Sequence, residues 1–345
     1  MGTKTAMIAV VGRPNVGKST LTNLLTGEKV AIVSPKPQTT RNRIFGVFMH
    51  GDTQMILLDT PGFHKARTRL GDYMVGVVRE SVADVDAAAL VVEPVDNIGT
   101  QEEMLIAHIE ASGVPAVLVI NKIDTVNPGL VLPIIERYSQ RYEFGAIVPV
   151  SAKTGDGSLQ LLDVLERYAQ DGPLLFPVGV VTDQPEKQVI AELIREKLLI
   201  CLDKEIPHGT AVVITQFSER GAQTEGAEFA VQQPDDGPEA SQPGNLPGDQ
   251  PTYTSPEASQ PDTESGDNCI IDVEATIYCE KASHKGMIIG KNGAMLKKIG
   301  SLAREDIEHF MGAKVYLQTW VKVKQNWRDN QSMIRNLGYK SGGGI

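Results

Sequence analysis

Apolar positions recur along the first half of the chain in short unbroken runs. Strand-like stretches fall at Met7–Val11, Arg43–Met49, Gln54–Leu58, Ala87–Val92, Ala116–Ile120 and Ala146–Val150. Continuous Val, Ile and Leu over so few residues predicts strands covered on both faces. Between them the spacing turns helical, at Thr20–Leu25, Gln101–Ala111, Leu130–Arg141 and Leu159–Ala169. Such alternation predicts an α/β fold over residues 1–172, a doubly wound, mostly parallel sheet with helices on both sides. Ligands of these sheets bind beyond the carboxyl ends of the strands.

The second half reads differently. Residues 173–185 hold Pro173, Pro177, Gly179 and Pro185, the composition of a linker or hinge. An α+β module is expected over 186–330, with a tail at 331–345. It opens with an amphipathic helix at Glu186–Leu202 and a strand at Thr210–Phe217. Cys269–Tyr278 alternates Ile271, Val273, Ala275 and Ile277 with polar residues, the pattern of a half-buried strand. Two short helices are expected around Gly286–Gly300, a longer one at Ser301–Met311, and a last strand at Lys314–Lys324.

Residues 221–267 interrupt this module. They are rich in Pro, Gly, Gln, Ser and acids, and Pro-Glu-Ala-Ser-Gln-Pro occurs twice, at 238–243 and 256–261. Such a segment buries too little surface to offset chain entropy and is expected to be a disordered insertion. It reads as a solvated spacer, or alternatively as an acidic tail that competes for a basic face nearby.

Charge alters the picture once this segment is set aside. The chain of 345 residues carries a net charge of −10, which by itself argues against a nucleic-acid partner. The insertion holds ten acidic residues and no Lys or Arg, so the remainder has 33 of each sign. From Asn268 onward twelve basic residues face seven acidic ones, leaving a basic C-terminal region. Three cysteines without a C-x-x-C pair predict neither disulfides nor a zinc site. Neither a signal peptide nor a membrane-spanning run is evident, so a cytoplasmic location is expected.

The candidate chemistry lies at the strand ends. Gly12-Arg13-Pro14-Asn15-Val16-Gly17-Lys18-Ser19 stands between a strand and a helix, as a phosphate-binding loop requires. Its glycines let the backbone wrap a phosphate, Lys18 reaches the outer phosphates, and the Ser19 hydroxyl suits Mg²⁺. Asp59-Thr60-Pro61-Gly62 follows the third strand; the carboxylate can hold Mg²⁺ and the Gly62 N–H can sense a γ-phosphate. Asn121-Lys122-Ile123-Asp124 ends the next-to-last strand of the sheet. Asp124 can accept two N–H bonds from guanine, whereas adenine would leave it unpaired. The Lys122 stem can cover the base. Ser151-Ala152-Lys153 completes the set, its backbone N–H groups suited to guanine O6. Four motifs in this order predict a guanine nucleotide site.

Ser34 to Arg41 forms the expected switch loop, with Pro35 and Pro37 opposing helix. A threonine hydroxyl there can complete a Mg²⁺ shell. Phe63 stands where a water-orienting glutamine occurs in GTPases of the Ras type. Slow hydrolysis follows, with water oriented by backbone, another side chain, a monovalent cation or a partner.

In the second module the key stretch is Met287-Ile288-Ile289-Gly290-Lys291-Asn292-Gly293. A G-x-x-G loop between helices admits a nucleic-acid backbone, Lys291 and Lys297 offer phosphate contacts, and the apolar triplet can floor a groove for unstacked bases. Tyr316, Trp320 and Trp327 either extend that face or lie buried.

These motifs together resemble the Era family. The likeness joins a translation-factor-class P-loop GTPase domain to a type II KH domain and spans the chain outside 221–267. The resemblance implies GTP/GDP as ligand with Mg²⁺. It favours Thr40, with Thr39 the alternative, as the switch threonine, and it assigns catalytic roles to Lys18, Thr40 and Asn15. Asn15 resembles a K⁺ ligand of potassium-activated relatives, or else it only stabilises the loop turn. The resemblance further implies binding to the 3′ end of small-subunit ribosomal RNA, assistance to small-subunit maturation, a monomer, and peripheral association with the inner membrane. Two other readings stay open: a GTPase acting on another RNA, and an RNA-binding module with a regulatory nucleotide site.

Overall fold

A computed structural model describes residues 3–64, 66, 68–203, 206–220 and 270–339. The acidic insertion at 221–267, and Cys269, lie outside the described residues. The first module opens with β1 (Lys4–Val11), α1 (Lys18–Thr26), β2 (Ile44–His50) and β3 (Thr53–Asp59). It continues with α2 (Arg69–Ala83), β4 (Ala87–Val92), α3 (Thr100–Ser112) and β5 (Ala116–Ile120). α4 (Val131–Arg141), β6 (Ala146–Pro149), α5 (Ser158–Glu166) and the short β7 (Gln170–Asp171) complete it.

The sheet order is β2-β3-β1-β4-β5-β6, with β7 pairing at the start of β1. β2 runs antiparallel to β3 and β7 to β1; the other pairings are parallel. β1, β3, β4 and β5 are almost wholly buried, as their unbroken apolar runs require. Two apolar cores cover the two faces of the sheet.

α2 carries no expectation from the sequence reading. Gly71 and Gly76 dilute its pattern, yet Leu70, Met74, Val77, Val78 and Val82 fall on one buried face. Its start is fixed by Thr68, whose hydroxyl accepts from the Gly71 N–H at 3.1 Å.

The second module holds α6 (Glu186–Cys201), β8 (Ala211–Arg220), β9 (Ile270–Cys279), α7 (Ala282–Ile289), α8 (Ala294–Met311) and β10 (Lys314–Val323). Its sheet order is β10-β9-β8, with β9 parallel to β10 and antiparallel to β8. The expected break near Gly300 is absent, and α8 runs through it for 18 residues. Nothing lies within 4 Å of the missing Cβ of Gly300, so the helix bears only its intrinsic propensity cost, about 1 kcal/mol. Beyond 330, Gln331–Asn336 forms α9, and Ile334, Leu337 and Tyr339 are buried.

The two modules are packed together. The segment 173–185 lies along β2 and β3: Val47 N–H donates to Val181 O at 2.9 Å, and the Gln54 side chain bonds the backbone of Leu175 and Phe176. Leu70 and Met74 of α2 share a core with Ala211, Trp327, Ile334, Leu337 and Tyr339. Ile32, before the switch loop, is buried in the second module's own core.

Candidate functional site

The loop after β1 and the N-terminus of α1 line a cleft of about 390 Å³ with the switch residues Gln38, Thr39 and Thr40 and with Gly62 and Lys122. Sterics fix the glycines. A Cβ on Gly12 would strike Val91 O, and one on Gly17, at φ +95°, would strike the Asn121 amide. A Cβ on Gly62 would lie 2.6 Å from Pro14 Cα. Val16 points into the core below. Lys18 is buried and donates to Gly12 O at 3.1 Å and Arg13 O at 3.0 Å. An ammonium has three N–H groups, so one is left for a ligand in the cleft. Burial lowers its pKa to about 8, against the opposing pull of Asp59.

Ser19, Thr40 and Asp59 converge. Ser19 Oγ donates to Asp59 Oδ2 at 2.6 Å and lies 2.8 Å from Thr40 Oγ1, which donates to the same oxygen at 3.2 Å. Asp59 is fully buried; burial raises its pKa to about 6, opposed by Lys18, by both hydroxyls and by the Thr60 backbone. Its Oδ1 has no hydrogen-bond partner among the described residues. An orphaned carboxylate oxygen beside two hydroxyls suits a hard cation completed by phosphate oxygens and water, as Mg²⁺ is. Thr39 is directed elsewhere: its hydroxyl donates to Lys36 O at 2.7 Å and pairs with Ser34 Oγ. Thr60 closes the turn after β3 by donating to Val10 O at 2.7 Å, and Pro61 follows it.

At the base end Asn121 acts as a frame. Its amide donates to Val16 O at 2.8 Å and accepts from Ala152 N–H at 2.9 Å, joining the phosphate loop to the 151–153 turn. Ser151 Oγ donates to Asp124 Oδ1 at 2.7 Å and orients that carboxylate, whose other oxygen has no partner among the described residues. Lys122 Nζ donates to Asn15 O at 2.6 Å. Ile123 packs against the core and Lys153 is exposed. Phe63 is buried under the sheet, away from the cleft, and its N–H donates to Gly12 O at 3.0 Å.

In the second module the Gly290–Gly293 loop joins α7 to α8. Gly290, Asn292 and Gly293 have φ of 74°, 52° and 78°. Lys291, Asn292 and Lys297 are exposed. No side chain caps α8, so its first N–H groups face the loop, a favourable end for phosphate. The apolar triplet divides. Met287 is 53% exposed and Ile289 partly buried, whereas Ile288 is buried in the core and has no surface for a base. Trp327 is buried too, donating to Gly209 O at 2.9 Å, so the aromatic set does not form one RNA face.

Comparison with known proteins now bears on this geometry. A family described as 50S ribosome-binding GTPase matches residues 7–122, and the KH domain matches 258–328. GTPase Era of Ruminiclostridium cellulolyticum is 42% identical over 99% of this chain and 99% of its own. GTPase Era of Alkaliphilus oremlandii is 41% identical over 97% and 99%. The chain belongs to the Era family of GTPases. A crystal structure of Era in complex with MgGDPNP and nucleotides 1506–1542 of 16S ribosomal RNA matches at TM-score 0.81 and 32% identity, over 98% of this chain and 99% of that one. A tyrosine-to-alanine variant of Aquifex aeolicus Era bound to GDP·AlF4⁻ matches at TM-score 0.80 and 31% identity, over 97% of this chain and 99% of that one.

Sequence reasoning missed several residues of this Era-family site. Glu93, just beyond β4, pairs with both Arg13 and Lys122 and so ties the phosphate loop to the guanine end. Its place at a strand's carboxyl end was the available signal. Arg13 also meets buried Glu102 at 3.1 Å. Arg41, which closes the expected switch loop, was given no contact with the second module, and Arg195, which bonds Thr39 O, carries no motif at all.

Proposed function

We propose that the chain is a slow GTP-hydrolysing switch that binds the 3′-end region of small-subunit ribosomal RNA through its KH module and assists maturation of the small subunit. The observation that carries this is that residues of three guanine-nucleotide motifs line one cleft, with the fourth, Ser151–Lys153, hydrogen-bonded to Asn121 and Asp124 of the third, in a chain that matches RNA-bound Era along almost its whole length.

In this reading the backbone N–H groups of Gly12–Ser19 and the Lys18 ammonium hold the phosphates and offset charge that develops as the β–γ bond breaks. Asp124, aligned by Ser151, reads the guanine edge. Ser19, Thr40 and Asp59 would hold Mg²⁺, which would supply neutralisation of the phosphate charge. Asn15 is assigned to K⁺; its amide N–H donates to Pro35 O at 2.9 Å, which leaves its carbonyl oxygen for a cation. Gly290–Gly293, Lys297 and the flanking Met287 and Ile289 receive single-stranded RNA. The modules span 1–172 and 186–330, joined by 173–185 and followed by 331–345. Peripheral membrane association is proposed on family grounds; among the described residues no helix is long and apolar enough to cross a membrane.

The test is binding and turnover by the full chain. Purified protein is expected to bind GTP and GDP over ATP, to release phosphate from GTP, and to bind a single-stranded fragment of the 3′ end over a scrambled one. Equal affinity for ATP would overturn the nucleotide assignment, and equal RNA affinities the partner. Equal turnover in K⁺ and Na⁺ would remove the K⁺ role.

A further inference from the structure

With Phe63 buried, some other group must orient the attacking water, and the cleft contains one suited to it. Gln38 lines the cleft together with Lys18, Thr40 and Gly62. Its amide nitrogen lies 3.0 Å from His64 Nε2, and His64 Nδ1 lies 2.8 Å from Gly62 O. A carbonyl only accepts, so Nδ1 carries the proton, and Nε2 of the neutral ring is therefore an acceptor. The Gln38 NH2 group must donate to it. That fixes which way the amide faces and leaves Oε1 without a hydrogen bond among the described residues.

The backbone is set for the same purpose. Gln38 is in the left-handed region at φ 61°, uncommon for a side chain of this size and typical of functional loops. The turn that carries it is pinned on both sides. Ser34 Oγ accepts from Lys36 N–H at 3.2 Å, the Thr39 hydroxyl bonds Lys36 O, and Thr39 O accepts from Arg195 of the second module. Neither end of the turn is free to swing the amide away. Asn15, the cleft's other neutral amide, stands exposed at the loop's rim and bonds Pro35 O.

We infer that Gln38 is a catalytic residue of the GTPase reaction, its Oε1 accepting a hydrogen bond from the attacking water, and that His64 positions it. The inference rests on GTP occupying the cleft as proposed above. The water oxygen forms a bond to the γ-phosphorus, and the bond from that phosphorus to the β–γ bridging oxygen breaks. The electron pair leaves with GDP, and the water's proton departs on the released phosphate. Gln38 orients the water and neither gains nor loses a proton.

The experiment uses the full chain in single-turnover hydrolysis, with GDP affinity measured in the presence and absence of aluminium fluoride. Gln38→Ala and Gln38→Gly, the second suited to the left-handed backbone, should each slow hydrolysis about tenfold or more. Both should bind GDP and a non-hydrolysable GTP analogue as the wild type does. Both should lose the gain in GDP affinity that aluminium fluoride gives the wild type. His64→Ala should slow the wild type but not the Gln38→Ala variant, because it acts through that amide. Hydrolysis within about twofold of wild type in either Gln38 variant would overturn the assignment. So would a rate loss matched by lost GDP affinity, or additive effects of the two residues. Failure of the wild type to bind GDP would instead overturn the nucleotide site itself.

Discussion

Thr40 and Arg41 are consecutive, and their side chains enter different modules. Thr40 Oγ1 lies 3.2 Å from the Asp59 carboxylate in the nucleotide cleft. The Arg41 guanidinium donates to Thr210 O at 2.7 Å, His208 O at 2.9 Å and the Tyr339 hydroxyl at 3.0 Å. It also faces the rings of Trp327 and Tyr339, 5.7 and 5.9 Å away. One residue earlier, Thr39 O accepts from Arg195 of α6. Three successive switch residues thus join the Asp59 carboxylate to the module that carries the Gly290–Gly293 loop.

Arg41→Ala should lower stability by about 2–4 kcal/mol, because the buried Thr210 carbonyl and the half-buried His208 carbonyl lose their donor. Arg41→Lys should recover only part of this, since an ammonium cannot match the forked geometry. Urea denaturation of the two variants checks both statements. Equal stability of Arg41→Ala and wild type would show that the bonds do not hold the modules together.

Asp124→Asn should weaken GTP binding by about 100-fold or more, because an amide cannot accept both guanine N–H groups. The same variant should gain affinity for xanthosine triphosphate, whose base carries a carbonyl where guanine has its amino group. Competition between the two nucleotides measures the exchange. Ser151→Ala should weaken GTP less and leave the preference for guanine intact, since Ser151 only aligns the carboxylate.

Removal of Mg²⁺ gives a third test. With the metal present, Asp59→Asn should lose affinity for GTP, as the variant lacks the charged oxygen that suits a hard cation. In excess chelator, wild type and variant should bind alike or the variant slightly better, because it no longer buries a carboxylate. Isothermal titration in the two buffers separates the contributions; a deficit that persists in chelator would exclude Asp59 from the metal site.

The nucleotide site was legible in the sequence because its chemistry is local. Gly12 and Asn121 directly follow strands and Asp59 ends one, each strand announced by its unbroken apolar run; Lys18 and Asp124 lie in the motifs that begin there, and the parallel sheet brings those ends together. Glu93 was at such an end but matched no spacing. The contacts that cross between modules were not legible. Arg41 meets Thr210 and Tyr339, and Arg195 meets Thr39, only once two separately folded sheets have docked, and no period in the chain encodes that. Within the second module the apolar triplet gave the loop but not its facing. Helical geometry turns Ile288 into the core while its neighbour Met287 faces outward.

Tyr138 of α4 is buried, and its hydroxyl has no hydrogen-bond partner among the described residues. Burial, and then the nearby Glu102, hold its pKa well above the usual value near 10. The folded chain therefore keeps this proton after the unfolded chain has lost it. Its contribution to stability is complete below pH 10 and falls as pH rises beyond that. Tyr138→Phe should match the wild type within about 1 kcal/mol at neutral pH, since it deletes an unpaired polar atom. It should become the more stable of the two above pH 10. Thermal melts across pH 7 to about 11 check the sign.

The G-x-x-G loop permits the sharpest separation of the two activities. A Cβ on Gly290 would sit 2.7 Å from Met295 Cβ and 2.9 Å from its backbone nitrogen, at a φ of +74° that disfavours any side chain. Gly290→Ala must therefore shift the loop against the start of α8, and single-stranded RNA binding should be lost. Lys291→Ala leaves the backbone alone and removes one exposed charge. It should weaken RNA binding evenly across sequences and reduce the slope of log affinity against log salt by about one. Neither residue touches the nucleotide cleft, so GTP hydrolysis without RNA should be unchanged in both. Fluorescence anisotropy over a salt series, beside a phosphate-release assay, reads all three quantities. A Lys291→Ala variant with an unaltered salt slope would mean that the phosphates pass elsewhere, and hydrolysis reduced in step with RNA binding would mean that the substitutions act through the fold rather than the loop.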